Sequence, residues 1–300
     1  MDQVNGDARL ASRTRITDRA PRDIPVRRPA FAFEKVKTRH WFGGDAFQTQ
    51  LAHALSLTFP EGERFFMDAV RHYVDRVKSP ALRHEISRFL AQEGMHGRAH
   101  TAFNEWIRSL GNVTESIERH VREDLAQGRK DSRPIERLAV TCALEHFTAM
   151  LAELLLSSES LREEMHPDVR DLWIWHAIEE TEHKAVAFDT FVEVGGTYRL
   201  RVIAMLLTTA SFVYRIADYQ SQLLANDPEP AGPFVRLRGF VNLWIWPGKL
   251  LPVLPAYFDY YRPNFHPWQR KPHPKFDELK RAMDAYEPGG RETERAPVQS

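Results

Sequence analysis

The chain has 300 residues, of which 43% are hydrophobic and 27% charged, enough for a large buried core, which excludes disorder of the whole chain. Its 41 basic and 41 acidic residues cancel, so the overall charge does not favour nucleic acid as a partner. With a single cysteine, Cys142, any metal ligands must be histidine, aspartate or glutamate. The N-terminus lacks the apolar core of a secretory signal, and no run of about 20 apolar residues stands out. We therefore expect a cytoplasmic protein.

The apolar residues predict an all-α fold. Through the middle of the chain they recur every three or four positions, which is typical of four long helices and not of strands. The first helix begins at or before Pro60, and the others follow Pro80, Pro134 and Pro167, because proline suits a first helical turn. Short turns join helices one and two and helices three and four, and a polar crossover with a short helix over 114–127 separates the two pairs. Two hairpins with one long crossover are typical of ferritin-like four-helix bundles.

The segments on either side of the bundle differ from it in composition. The N-terminal segment is basic, contains several prolines and lacks helical periodicity, which predicts a flexible tail. After Gly195 and Gly196 come an uncharged run at 202–214 and an aromatic, proline-broken stretch at 240–258, which we expect to pack on the bundle as helices. The predicted organisation is a flexible tail (1–39), a ferritin-like metal-binding bundle (40–195), a hydrophobic α-helical extension (196–270) and a loose C-terminal tail (271–300).

The motif Glu-x-x-His occurs at Glu93–His96 and at Glu180–His183, and this spacing sets both side chains on one helical face. A third copy, at 163–166, falls in a predicted loop and is treated as accidental. The first two copies interrupt apolar faces where the core is expected. Because burial of an unpaired carboxylate costs several kcal/mol, these positions require a cation, a metal or a proton. The two faces are Leu82, Ile86, Phe89, Glu93, His96, His100, Phe103, Ile107 and Leu110 on helix two, and Val169, Trp173, His176, Glu180, His183, Ala187, Thr190 and Val194 on helix four.

Helices one and three each add one carboxylate. Periodicity groups Glu63 with apolar residues and Glu61 with charged ones, and Glu145 is the only acid on its apolar face. Glu63 and Glu93 lie about equally far from the turn between their helices, and the same holds for Glu145 and Glu180, so all four carboxylates come level. The predicted metal ligands are Glu63, Glu93, His96, Glu145, Glu180 and His183, with catalytic roles for the four glutamates and with His100, His176 and Glu179 in contact with the ligands.

This ligand set predicts a dinuclear metal centre. One Glu from each of two helices, with Glu-x-x-His from each of the other two, is the set found in dinuclear carboxylate proteins. Mixed imidazole and carboxylate ligands favour two iron ions over magnesium, with manganese and zinc as alternatives. A buried ion-pair network without metal is less favoured, because the inner faces contain no Lys or Arg.

Five strings in the chain resemble a known family, the bacterial proteins labelled predicted metal-dependent hydrolases. The resemblance extends over about residues 40–270, and it implies a metal-dependent hydrolase with the same six side chains as metal ligands. The strings are FPEGERFF (59–66), QEGMH (92–96), ALEHFTA (143–149), WHAIEETEHKAVAFD (175–189) and YYRPNFHPW (260–268).

Three functions compete for this site. Dry walls without cations favour a di-iron oxidase or oxygenase that uses O2 to oxidise a small or lipid-like apolar substrate. The alternative, which the family label favours, is a hydrolase that uses a metal-bound water. Iron storage is the second alternative, but it leaves the residues after Val194 without a role. The expected partners are thus a small hydrophobic substrate and O2. Peripheral membrane contact through Trp244, Trp246 and 202–214 is less favoured. Whether the chain forms a homodimer is left open.

Overall fold

The computed structural model describes residues 20–229 and 231–285. Within these residues the chain is helical and forms no strand, which confirms the all-α class. The α-helices are α1 (Ala46–Arg71), α2 (Pro80–Ser109), α3 (Glu115–Asp131), α4 (Pro134–Ser157), α5 (Glu159–Glu164), α6 (Pro167–His183), α7 (Val186–Glu193), α8 (Tyr198–Ala225), α9 (Val235–Trp244), α10 (Leu254–Asp259) and α11 (Lys275–Asp284).

Three helices start at the prolines that predicted them: α2 at Pro80, α4 at Pro134 and α6 at Pro167. A proline in the first turn gives up no intrahelical hydrogen bond. The first helix begins earlier, where the carboxylate of Asp45 accepts a hydrogen bond of 2.9 Å from a backbone N–H of the first turn. Pro60 therefore lies inside α1 and not at its start.

The predicted fourth helix is divided into two helices. α6 ends at His183, and α7 begins at Val186 after a turn. Beyond the turn, the carboxylate of Asp189 on α7 lies 3.1 Å from the Arg22 guanidinium and 2.8 Å from Nε2 of His266, so side chains of two distant segments contact α7 just after the break. Periodicity does not detect such a break, because the apolar face continues across it.

The long helices pack in pairs, α1 against α2 and α4 against α6, and α8 lies across both α1 and α4. Along α2, Ile86 and Phe89 belong to one buried apolar cluster, and Phe103 and Ile107 belong to another. The polar part of the predicted face, including Glu93, lies between these two clusters and is fully buried. The fold thus encloses a layer of carboxylates and imidazoles between two apolar layers.

The composition predicts a flexible tail over 1–39, whereas from residue 20 onward the structure places this segment against the bundle. Ile24 and Val36 are buried, and the guanidinium groups of Arg22 and Arg27 pair with buried carboxylates. The basic residues that suggested a solvated tail are therefore partners of acids on the helices. The preceding residues lie outside the part that the structure describes.

The described part of the predicted loose C-terminal tail, 271–300, also differs from the prediction. α11 packs Phe276 and Leu279 on one of the apolar clusters, and Lys280 Nζ lies 2.8 Å from a carboxylate oxygen of Glu182. The remaining residues of this tail lie outside the described part of the chain.

Two helices, α4 and α8, are long and apolar enough to cross a membrane by length and composition. This corrects the expectation that no stretch of the chain reaches that length. In α4, 56% of the apolar window is buried, as befits a bundle helix, but in α8 only 28% is buried. A large part of the apolar surface of α8 is therefore exposed.

Candidate metal centre

Four predicted ligands meet around one ring nitrogen at the centre of the bundle. Nε2 of His183 lies 3.1 Å from Oε1 of Glu93, 3.5 Å from Oε2 of Glu180 and 3.6 Å from Oε2 of Glu145. All four side chains are buried. Atoms of Glu93, Glu180 and His183 lie within 4.8 Å of one another, close enough to bind a single ion.

A second group of potential ligands lies beside the first. Glu63, His96 and His176 each offer an atom within 4.8 Å of the others. Nδ1 of His96 is 3.5 Å from Oε1 of Glu180, so the Glu180 carboxylate faces both groups. The structure thus brings together all six predicted ligands and adds His176, which the sequence placed only in contact with them.

The hydrogen bonds of Gln92 determine which nitrogen of His183 faces the site. The Gln92 amide nitrogen donates to the carbonyl of Pro25 at 2.7 Å and to Glu182 at 3.0 Å, so its oxygen points to His183. That oxygen accepts from Nδ1–H of His183 at 2.8 Å. Nε2 therefore faces the carboxylates, and it is the nitrogen that would present its lone pair to a metal once its proton is displaced.

His96 is held in the same way. Its Nε2 lies 3.1 Å from Oε2 of Glu179, a carboxylate that can only accept, so Nε2 carries the proton. Nδ1 is then left with its lone pair toward Glu180. The sequence analysis predicted that Glu179 contacts the ligands, and the structure places it in contact with His96. Arg27 in turn donates to Glu179 at 3.1 Å and to Glu182 at 2.8 Å, so one guanidinium supports both histidines.

A chain of hydrogen bonds across α1, α2 and α6 sets the orientation of His176. The Asn104 amide nitrogen donates to the Ser56 carbonyl at 3.2 Å, so its oxygen accepts from the Ser56 hydroxyl at 2.6 Å. The hydroxyl then accepts from Nδ1–H of His100 at 2.8 Å, and Nε2 of His100 accepts from Nδ1–H of His176 at 2.7 Å. Nε2 of His176 then faces Oε1 of Glu180 at 2.9 Å. A shared proton or a metal ion between these two atoms would satisfy both, so His176 could also serve as a ligand, a role beyond the predicted contact.

Many buried atoms of the site lack hydrogen bonds. In the described part of the chain, both carboxylate oxygens of Glu63, Glu93 and Glu145 make none, nor do Nδ1 of His96 and Nε2 of His183. A buried polar atom without a partner costs about 1–3 kcal/mol, and more if it is charged. These atoms are carboxylate oxygens and imidazole nitrogens that point at one another. Divalent metals bind such atoms as ligands.

The pKa values of the site's side chains also indicate that it needs a bound cation. Burial raises the pKa of Glu63 and of Glu93 well above the usual value, and neighbouring carboxylates raise it further. Burial and Glu180 likewise raise the pKa of Glu145 to about 8. Burial lowers the pKa of His183, but Glu180 and Glu145 outweigh it and raise the pKa to about 9. Without metal, protons on Glu63, Glu93, Glu145 and His183 are therefore favoured, whereas the neighbouring imidazoles His183 and His176 outweigh burial and lower the pKa of Glu180. A bound cation would replace these protons.

Glu63 reaches the site because α1 and α2 are close at Gly97. A Cβ atom at Gly97 would lie 3.1 Å from Oε2 of Glu63. The adjacent Glu61 points outward and pairs with Arg64 at 3.0 Å and Arg122 at 3.3 Å. The structure therefore separates the two glutamates as the helical periodicity predicts.

A large apolar pocket of about 760 Å³ leads from the site to the surface. Phe59, Thr148, His176 and Glu180 line it next to the candidate ligands. The Thr148 hydroxyl also donates a hydrogen bond to Glu180. Side chains of α8, α9 and the following segment form the outer wall, so the C-terminal extension completes the pocket.

The fold and the site define a class of protein, an all-α metal-binding protein whose buried centre opens into an apolar pocket. Residues 25–271 match the family described as "Predicted metal-dependent hydrolase", and the chain belongs to this family. The resemblance noted in the sequence is thereby confirmed, and the family indicates an enzyme that needs a metal. Comparisons with curated proteins and with solved structures gave no significant match.

The family contradicts the prediction of a di-iron oxidase or oxygenase and supports the alternative, a metal-dependent hydrolase. The preference for oxygen chemistry depended on dry walls and on inner faces without Lys or Arg. Metal ions themselves supply the positive charge that a hydrolytic site needs, and apolar walls equally suit a hydrolase with an apolar substrate. Neither feature separates the two reactions. The family description gives no support to iron storage either.

Proposed function

We propose that the protein is a hydrolase that uses two divalent metal ions to cleave an ester or amide of an apolar acyl group. The observation that carries the proposal is the set of buried carboxylate oxygens and imidazole lone pairs without hydrogen-bond partners, facing one another at the inner end of an apolar pocket. Membership of the metal-dependent hydrolase family supports the same reaction class.

The ligands divide into two groups, each suited to one ion. Glu93, Glu180 and His183 would hold one, and Glu63, His96 and His176 would hold the other, with Glu180 facing both. Iron, manganese and zinc all accept imidazole with carboxylate ligands. The two hairpins of helices that carry these side chains are consistent with a ferritin-like bundle.

A bound divalent ion supplies a Lewis acid for the substrate carbonyl and lowers the pKa of a coordinated water. Glu145 belongs to neither group of three, and its oxygens are buried beside His183 without hydrogen bonds. A carboxylate outside both groups would be available to take a proton from water and return it to the leaving group. Thr148 and His100 hold Glu180 and His176 in their orientations.

The pocket favours an apolar acyl group over a phosphate ester. Among the described residues, the cations that line it are Arg236 and Lys249. Nζ of Lys249 lies 2.7 Å from Gln48, near the start of α1 and about 22 Å along the helix from Glu63 by the rise per residue. Lys249 is thus too far from the ligands to add positive charge to that of the metal ions, and Arg236 donates to the Ser221 hydroxyl on α8 at 2.7 Å. The rest of the pocket lining is mainly apolar and so favours an apolar acyl group.

The test compares metal-free protein with protein reconstituted with zinc, manganese or iron(II). The substrates are p-nitrophenyl esters of acetyl, octanoyl and palmitoyl groups, with p-nitrophenyl phosphate for contrast. We expect hydrolysis that requires metal and increases with acyl length, and we expect Glu63→Ala but not Glu61→Ala to abolish it. Equal rates with and without metal, or cleavage of the phosphate alone, would contradict the proposal.

A further inference from the structure

One face of α8 is apolar and exposed. Leu206 and Leu207 lie seven residues, or about two helical turns, before Val213 and Tyr214, so the two pairs share one side of the helix. Leu207 is 68% and Tyr214 65% exposed. The opposite side of α8 packs on α1 and α4. Because the solvent side of a helix is normally polar, this face is suited to an apolar partner.

The apolar character continues into α9 and the segment after it. Phe240 and Phe258 are exposed, and Phe240 lines the pocket together with Val213 of α8, so the two helices are neighbours there. The hydroxyl of Thr209 on α8 lies 3.1 Å from that of Tyr257, which brings the later segment alongside the helix. We call the exposed apolar side chains of 203–214 and 234–258 the apolar surface.

The two segments that form the apolar surface carry charges of one sign. Residues 198–217 and 231–258 contain no Asp or Glu, whereas Arg199 and Arg236 are exposed. Anionic lipid headgroups complement exposed arginines beside an apolar face. A second copy of the chain would bring arginine against arginine, which disfavours self-association through this surface. Of the other cations in these segments, Arg201 is buried and donates to the carbonyl of Arg262 at 2.7 Å. The other three pair with carboxylates: Arg215 with Asp124, Arg238 with Asp45 and Lys249 with Glu164.

The pocket opens within the apolar surface. Val213, Phe240 and Trp244 line the pocket and are also exposed, and Trp246 just beyond them is 79% exposed. Tryptophan is enriched where a protein meets the boundary between lipid and water. A protein seated on a bilayer by this surface has its pocket mouth against the lipid.

We propose that the apolar surface docks the protein on an anionic lipid bilayer. Because the inner side of α8 is packed on the bundle, the helix lies along the interface and does not span the membrane. With the mouth against lipid, an apolar substrate enters from the bilayer; this last step rests on the proposed function, whereas docking does not.

Flotation of the full chain with vesicles tests docking. We expect binding to vesicles of phosphatidylcholine with phosphatidylglycerol, weaker binding to phosphatidylcholine alone, and weakening by high salt. Leu207→Glu and Trp246→Glu should each reduce binding about tenfold or more, because a glutamate disfavours the apolar layer. Val113→Glu is the matched control, since Val113 is 48% exposed but lies outside the apolar surface. Circular dichroism checks that each variant is folded.

Failure of the wild-type chain to float with either vesicle would overturn the proposal, as would an equal loss in Val113→Glu. A dimer that Leu207→Glu dissociates, without vesicle binding, would assign the surface to a second copy. The tests of docking and of hydrolysis are separable. Glu63→Ala should float like the wild type while cleaving no ester, and wild-type protein that floats without cleaving any ester would reject only the proposed hydrolysis.

Discussion

Replacing Arg27 with methionine should weaken metal binding although Arg27 touches no candidate ligand. Its guanidinium bonds Glu179 and Glu182, whose side chains are 0% and 2% exposed, and Glu179 in turn orients His96. Methionine keeps the aliphatic stem but removes the charge. Lys280 still pairs with Glu182, so the loss falls mainly on Glu179 and, through it, on His96.

The magnitude follows from burial. Removing one partner of a buried ion pair costs about 3–5 kcal/mol, and the remaining pair with Lys280 favours the lower end of this range. Loss of a group that orients a metal ligand typically lowers metal affinity 10–100-fold, and because Arg27 acts through Glu179 we expect about tenfold. Arg27→Lys should restore only part of this, since an ammonium group lacks the planar fork that spans two carboxylates.

Competition with a chelator measures the metal affinity, and urea unfolding of the metal-free protein measures the stability. Arg22→Met is the matched control, because Arg22 lies in the same segment and pairs with Glu85 and Asp189, each at 3.1 Å. It should lose stability while its metal affinity stays within about twofold. Equal loss of metal affinity in the two variants, or no loss in Arg27→Met, would refute the role of Arg27 as a positioning residue.

Two further predictions concern Gly97 on α2 and His53 on α1. Gly97→Ala should lower the metal affinity, because the added Cβ crowds Glu63. At Gly94 a Cβ meets nothing within 4 Å, so Gly94→Ala should bind metal normally and stabilise the helix by up to about 1 kcal/mol. Chelator competition measures the metal affinity of both variants, and thermal unfolding measures their stability. Burial lowers the pKa of His53 from 6.5 to about 3, so the unfolded chain takes up a proton that the folded chain refuses. The free energy of unfolding should therefore fall by about 1.4 kcal/mol per pH unit as the pH drops from 6.5 toward about 3.

The controls for these predictions are direct. If Gly94→Ala loses as much metal affinity as Gly97→Ala, the effect is on the helix and not on Glu63. For His53, the comparison is with His53→Gln in urea unfolding between neutral pH and pH of about 4. The advantage of the wild type should shrink as the pH falls, and a constant difference would contradict the assignment of a neutral buried histidine.

Helical periodicity was sufficient to predict which side of α2 faces inward. Every residue of its predicted face from Leu82 to Ile107 is 0% exposed, because a regular helix with one apolar stripe has one way to bury it. Leu110, the last residue of that face, is only partly buried where the helix ends. The same reasoning separated Glu63 from Glu61. Features set by one helix alone are therefore readable from this sequence.

Features that depend on contacts between distant segments cannot be predicted from this sequence in the same way. The lone pair of His176 depends on a chain through Asn104, Ser56 and His100 on two other helices, which no spacing rule contains. Arg27 looked like part of a solvated basic tail because its carboxylate partners lie about 150 residues away. The choice between oxygen chemistry and hydrolysis failed for a different reason, since a dry carboxylate and imidazole site suits both.

The number of metal ions bound by the purified protein shows whether the buried carboxylates and imidazoles form a dinuclear centre. After incubation with a divalent metal and gel filtration, inductively coupled plasma mass spectrometry gives the number of ions per chain. We expect about two ions per chain in the wild type. Glu61→Ala should also bind about two, because the Glu61 carboxylate pairs with arginines and not with the site, whereas Glu63→Ala should show a clear loss. A wild-type chain that retains no metal, or equal metal in the two variants, would contradict this expectation.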